Sequence, residues 1–128
     1  MAETVLDRLR SLALALPGVE ERVSHRAPCF YVRKRAVCRF HDADFGSDDR
    51  VALWCLSPPG VADELAVAEP SRFFQPTPSA SGVFAGWLGV YLDTTGSEAV
   101  DWDEIEAILE EAYRLVAPKR LVAELEQR

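Results

Sequence analysis

Apolar residues recur every three or four positions in four stretches of the chain, and between those stretches they cluster or alternate over four to seven positions. Val5, Leu9, Leu12 and Leu16 form one stripe, which predicts a helix over Thr4 to Leu16. Thr4 with Asp7 is a capping pair, and Pro17-Gly18 stops the helix. Val19 to His25 reads as a strand, with Arg26-Ala27-Pro28 as a tight link. Cys29 to Val32 and Arg35 to Phe40 read as a hairpin around Arg33-Lys34. Val51 to Leu56 (VALWCL) is a central strand. Ser57 caps the next helix, with Pro58 in its first position and Val61, Leu65 and Ala68 on its buried side. The stretch from Ser71 to Ala85 is irregular, anchored by Phe73, Phe74 and Phe84. Gly86 to Leu92 (GWLGVYL) is a strand with Leu88, Val90 and Leu92 on one face. Asp101 with Glu104 opens the longest helix, Trp102 to Ala117, whose stripe is Trp102, Ile105, Leu109, Ala112 and Val116. Pro118 breaks it, and Lys119 to Gln127 forms a last helix through Leu121 and Leu125. Strands separated by a few helices predict a single α+β domain over residues 1–128, a two-layer antiparallel sheet with its helices on one face.

A hairpin register follows from taking Arg33 and Lys34 as the two turn residues. Val32 then faces Arg35, Tyr31 faces Ala36, Phe30 faces Val37 and Cys29 faces Cys38. Side chains alternate between sheet faces. One face carries Cys29, Tyr31, Ala36, Cys38 and Phe40 and is expected to meet the core. The other carries Phe30, Val32, Arg35, Val37 and Arg39 and is expected to meet solvent. A two-residue turn favours Gly or Asn where φ is positive, and this turn has neither.

Charge changes the picture. Residues 22–40 hold six of the fourteen Lys and Arg residues and no Asp or Glu. The rest of the chain has eight basic residues against twenty-one acidic ones, a formal charge of −13. A basic island therefore sits on an acidic protein of net charge −7, a balance that disfavours indiscriminate binding to nucleic acid or anionic membranes. No apolar run is long enough to span a bilayer and no signal peptide is evident, so a cytoplasmic location is the default expectation. Three cysteines, an odd count, argue against a disulfide framework.

Several segments together resemble the MmcQ/YjbR-like family. They are LPGVEE at Leu16 to Glu21, SHRAPCFYVRKR at Ser24 to Arg35, VALWCLSPPG at Val51 to Gly60, EPSRFFQP at Glu69 to Pro76, GWLGVYLD at Gly86 to Asp93, and VDWDEIEAILEEAYRLVAPKRL at Val100 to Leu121. The resemblance implies a two-layer domain similar to the secretion-chaperone-like fold. It also implies DNA binding through β-hairpin wings, in a family whose biochemical role is otherwise poorly defined. The chain departs from the family pattern at Lys34, where Gly is usual, and at His25-Arg26, where the family has His-Gly. Both changes add positive charge. A short aromatic-glycine loop of the family is replaced by TPSASGVFA at Thr77 to Ala85.

The island is the candidate nucleic-acid site. Arg22, His25, Arg26, Arg33, Lys34, Arg35 and Arg39 would engage phosphates, and Phe30 or Tyr31 would stack on an exposed base. Against this stands the plainer reading that six cations solvate a hairpin and pair with the acidic remainder. The rival function is docking of a protein segment or small ligand. Cys29 and Cys38, opposite each other in the assumed register, are candidates for a disulfide, although a reducing compartment favours two thiols. Cys38, His41, Cys29 and His25 match no standard zinc spacing. Asp42, Asp44, Asp48 and Asp49 lack the ligand order of a calcium loop. Trp54, Trp87 and Trp102 read as core anchors. Nothing marks an oxyanion hole or an orienting acid, so the expectation is a protein that is not an enzyme and needs no cofactor.

Overall fold

The structure is a computed structural model, and it describes residues 4–24, 27–41, 51–76, 86–93 and 100–127. Four helices, α1 (Val5–Leu14), α2 (Val61–Ala68), α3 (Trp102–Val116) and α4 (Lys119–Glu126), lie among six strands. The strands are β1 (Val19–Ser24), β2 (Ala27–Val32), β3 (Arg35–His41), β4 (Ala52–Cys55), β5 (Phe73–Phe74) and β6 (Leu88–Tyr91). They form one antiparallel sheet in the order β1-β2-β3-β4-β6-β5. The expected α+β class is what the chain adopts.

The helix ends follow local chemistry. The Thr4 hydroxyl accepts from the Asp7 N–H at 3.0 Å, and the Asp7 carboxylate accepts from the Thr4 N–H at 3.2 Å, closing a reciprocal box. That backbone donor also holds the Asp7 carboxyl below its ordinary value. α3 starts on Asp101, whose side chain accepts from the N–H groups of Asp103 and Glu104. Glu104 does not complete a box there; its carboxylate takes a bond from Arg72. α2 corrects the expected cap. It starts at Val61 behind Gly60, and Ser57 lies outside the helix, because the Pro58 carbonyl first closes a turn with the Val61 N–H at 3.2 Å.

All four helices contribute to one core against one sheet face. Leu9, Ala62, Ile105, Leu109, Tyr113, Leu121 and Leu125 pack with Phe30, Val32, Cys38, Phe40, Leu53, Cys55, Leu88 and Val90. Tyr113 adds a polar tie: its phenol donates to the Pro17 carbonyl at 2.6 Å, joining α3 to the turn between α1 and β1.

The hairpin departs from the expected register. Val32 faces Arg35 and Tyr31 faces Ala36, as the two-residue turn requires. The register then shifts between Phe30 and Tyr31, so Phe30 faces Cys38 and Cys29 faces Arg39, with Val37 as the extra residue of a bulge. A bulge reverses the phase of the alternation on one strand only. Cys38 and Phe40 thereby join Phe30 and Val32 on the core side, while Arg39 joins Cys29 and Tyr31 on the helix-free side. The two faces read from strict alternation are each half right. The facing Cys29–Cys38 pair does not form: the two thiols lie on opposite faces, and all three cysteines are free.

The turn keeps its two residues despite their chemistry. Arg33 and Lys34 have φ of 51° and 71°. Both are therefore left-handed, as a hairpin turn matching the strand twist demands. Side chains with a Cβ sit there at a cost. Lys34→Gly should raise the unfolding free energy by about 1 kcal/mol. Denaturant melts of the two proteins check this, and an unchanged or lower midpoint would show that the turn is not strained.

Candidate nucleic-acid interface

The sheet gathers some of the island residues and scatters the others. Phe30 is fully buried and Arg39 is 8% exposed, so neither is available to a polyanion. Phe30 therefore cannot stack on a base, which corrects that expectation. Its partner across the strand, Cys38, belongs to the core, and the cross-strand neighbour fixes its face. Arg39 lies in a row across the helix-free side with Cys29 on β2 and Trp54 on β4. Its charge draws the Cys29 thiol back down, but burial dominates and leaves that thiol above its ordinary value. Arg22 is exposed and bonded to Glu20 at 3.0 Å. His25 and Arg26 lie outside the described residues.

Arg33, Lys34 and Arg35 remain together at the hairpin tip. All three are exposed and ion-pair with no other described residue. The fold brings two more cations to that end of the sheet. Gly18, at φ +75°, lies so close to α4 that a Cβ there would be 3.0 Å from Leu121 Cδ1 and 3.8 Å from Val32 Cγ2. Leu121 thus seats the first turn of α4 beside the residue that precedes the tip. Lys119 and Arg120 open that helix, are exposed, and have no ion pair to another described residue. No acidic residue occupies the first turn of α4 and no side chain caps it. The helix dipole and the two cations therefore act with the same sign. The nearest carboxylates on β1 are engaged: Glu20 by Arg22, and Glu21 by Arg10 through bonds of 2.9, 3.1 and 2.9 Å.

Sequence reasoning missed Lys119 and Arg120 because they stand 79 and 80 positions beyond the end of the island. The signal present was a Lys-Arg pair directly after a helix-breaking proline, at a helix N-terminus where cations are disfavoured.

The helix-free sheet face is aromatic. His41 stacks on Trp54 with ring centroids 3.8 Å apart, and Phe74 meets Tyr91 at 4.7 Å. Trp87 is buried and Trp102 packs half-buried against the core, as expected, whereas Trp54 is half-buried on the face away from the helices, which corrects its reading as a core anchor. Cys38 lies on the opposite face from His41 and Cys29, which separates these three members of the zinc set. Among the described residues no three His, Cys, Asp or Glu side chains gather as for a metal. The acidic loop at Asp42 to Asp49 lies outside the described residues. A cavity of about 80 Å³ is lined by Leu56, Ser57, Pro58, Val61, Leu88 and Glu111 among others, and no histidine reaches it. No described helix is long and apolar enough to cross a membrane.

The YjbR family model matches residues 14–115. Among solved structures, the chain is similar to the crystal structure of Deinococcus radiodurans protein DR2400, a DUF419 domain, with a TM-score of 0.67 and 24% identity over 97% of this chain and 88% of that one. No curated protein matches.

Proposed function

The chain belongs to the YjbR family, and we propose that this member is a DNA-binding protein, acting without catalysis through the tip of the β2–β3 hairpin. The observation that carries the reading is five exposed cations without carboxylate partners among the described residues: Arg33, Lys34 and Arg35 at the hairpin tip, and Lys119 and Arg120 in the first turn of α4, whose Leu121 packs beside Gly18 near Val32. On a protein of net charge −7, unpaired cations in one place are the exception. Neutralising them within the fold would lower the energy of the isolated chain, and leaving them open suits an external polyanion.

A β-ribbon is narrow enough to enter a major groove, which would place Arg33 and Lys34 at the base edges or the flanking phosphates. Lys119 and Arg120 would then contact the backbone from the side. Tyr31 is half-buried on the helix-free face, so it is a lesser stacking partner than an open aromatic platform would require. The acidic remainder repels DNA at long range. Binding should therefore be weak at physiological salt and rise steeply as salt is lowered.

Fluorescence anisotropy of labelled duplex and single-stranded DNA, titrated at several salt concentrations, tests this. Wild-type affinity should fall linearly on a logarithmic salt scale. The triple variant Arg33→Ala, Lys34→Ala, Arg35→Ala should reduce the slope by about 3 on duplex. Lys119→Ala with Arg120→Ala should reduce it further, and Arg22→Ala should have little effect. A flat salt dependence, or a slope the triple variant leaves alone, removes the proposal. Docking of an acidic protein segment at the same five cations is the rival reading. It predicts that a polyglutamate peptide displaces the probe as well as unlabelled DNA does.

A further inference from the structure

The strand order leaves β1 at one end of the sheet, and no described strand lies beyond it. We infer that β1 pairs antiparallel with β1 of a second copy of this chain, about a two-fold axis through Glu21, joining two sheets edge to edge. The inference is independent of the DNA reading and uses residues outside the hairpin tip.

Hydrogen-bond phase sets the register. The two-residue turn at Arg33-Lys34 makes Val32–Arg35 a hydrogen-bonded pair. Alternation along β2 then turns the backbone groups of Tyr31 and Cys29 toward β1, where they meet Glu20 and Arg22. The groups of Glu21 and Val23 consequently point outward. Val19 also points outward, but its N–H is already donated to the Leu16 carbonyl at 3.2 Å, which leaves its carbonyl open. With Glu21 opposite Glu21 of the second copy, those two residues exchange N–H···O=C bonds. Val23 N–H meets the Val19 carbonyl of the other chain, and the relation holds in both directions. Moving the axis to Arg22 would set the two guanidiniums directly opposite each other.

The side chains fit that register. Val23 is 74% exposed, an unusual position for a strand valine, and it would pack on Val19 of the second copy. On the helix-free face, Glu20 of each chain would lie opposite Arg22 of the other. Within each chain these residues already pair at 3.0 Å. Assembly would therefore make a square of four alternating charges from two exposed pairs. On the helix side the two Glu21 carboxylates would face one another, an arrangement that ordinarily repels. Arg10 grips each of them through both carboxylate oxygens, at 2.9 and 3.1 Å from its Nε, which removes most of that repulsion. A lone edge of charged residues usually guards against pairing. Here the charges are complementary to a second copy of themselves and to few other strands.

The edge buries less area than a standard interface, so the dimer should form at micromolar to submillimolar protein. Sedimentation of the full chain across that range should show monomer passing to dimer. Glu20→Arg sets like charges opposite each other twice and should weaken association by about tenfold or more. Adding Arg22→Glu restores the alternating square and should restore the dimer. Val23 stands opposite Pro28 in a pair whose backbone bonds are not made, so Val23→Pro spares the β1–β2 ladder and removes an outward donor. It should also yield monomer. A wild-type chain that stays monomeric at submillimolar concentration overturns the inference. So does a dimer that persists in Glu20→Arg or in Val23→Pro, and so does a failure of the double variant to recover what Glu20→Arg loses.

Discussion

Replacing Phe30 by alanine should lower the unfolding free energy by about 3–5 kcal/mol. The ring is fully buried among the residues that the helices cover, and it stands on β2 opposite Cys38 in the middle of the sheet. Its removal deletes apolar contact and leaves a cavity that the surrounding strands are too constrained to close. A domain of this size has a total stability of about 5–15 kcal/mol, so the loss is a large share of the whole. The same substitution separates two accounts of the residue. A base-stacking phenylalanine would cost affinity and leave the melt unchanged. A core phenylalanine costs stability, while the protein that still folds keeps the salt-dependent binding proposed for the wild type. Urea unfolding at neutral pH, together with anisotropy on the folded fraction at low temperature, distinguishes them. A loss below about 1 kcal/mol would place the ring outside the core.

The second large effect is an alkaline one. Cys38 and Cys55 face each other across β3 and β4 on the core side, both fully buried. The neighbouring Leu56 N–H bonds the Val37 carbonyl at 3.1 Å, which makes Cys38–Cys55 the closely spaced, non-hydrogen-bonded kind of pair. Burial pushes the Cys55 thiol up to about 12 from its ordinary 9.0, with the Glu111 charge adding to the shift. Cys38 is pushed up well above 9.0 by burial and, secondarily, by the other two cysteines. Folded thiols therefore keep their protons at a pH where unfolded ones release them. The stabilisation is complete below about pH 9 and is lost as pH climbs toward 12. Between pH 9 and 11 the Cys55 contribution alone should fall by about 2–3 kcal/mol, with Cys38 acting in the same direction. Urea midpoints at pH 7, 9 and 11 measure this, and Cys55→Ala should flatten the decline above pH 9. A decline equally steep in that variant would assign it to other groups. Neutral buried thiols are also poor nucleophiles, in keeping with cysteines that serve here as small core residues.

The extent to which the chain could be read in advance varies by element. Thr4 and Asp7 close their box within three residues, and Asp101 caps α3 through the next two N–H groups, so both helix starts are visible in local sequence. The stripes Ile105, Leu109 and Ala112 and the run Leu88, Val90 and Leu92 went inward as their periodicity required. Family membership was likewise legible, because it rests on the order of many short segments. Tyr113 was not assigned to the core, since a phenol needs a buried acceptor. That acceptor is the Pro17 carbonyl, ninety-six positions away.

What the chain determines by itself is the kind and order of its elements, because helix caps, turn residues and hydrophobic period act over a few neighbours. Which side of the hairpin turns inward, and which cations end up together, were decided only by packing. The bulge at Val37 lets Phe30, Val32, Cys38 and Phe40 reach one core, and strict alternation carries no sign of it. Arg39 is buried and Arg22 is paired, while Leu121 settles against Gly18 and so carries the Lys119-Arg120 turn toward the strand end that precedes the tip. A charge's position in space depends on contacts between distant segments, and a list of residues in order does not contain those contacts.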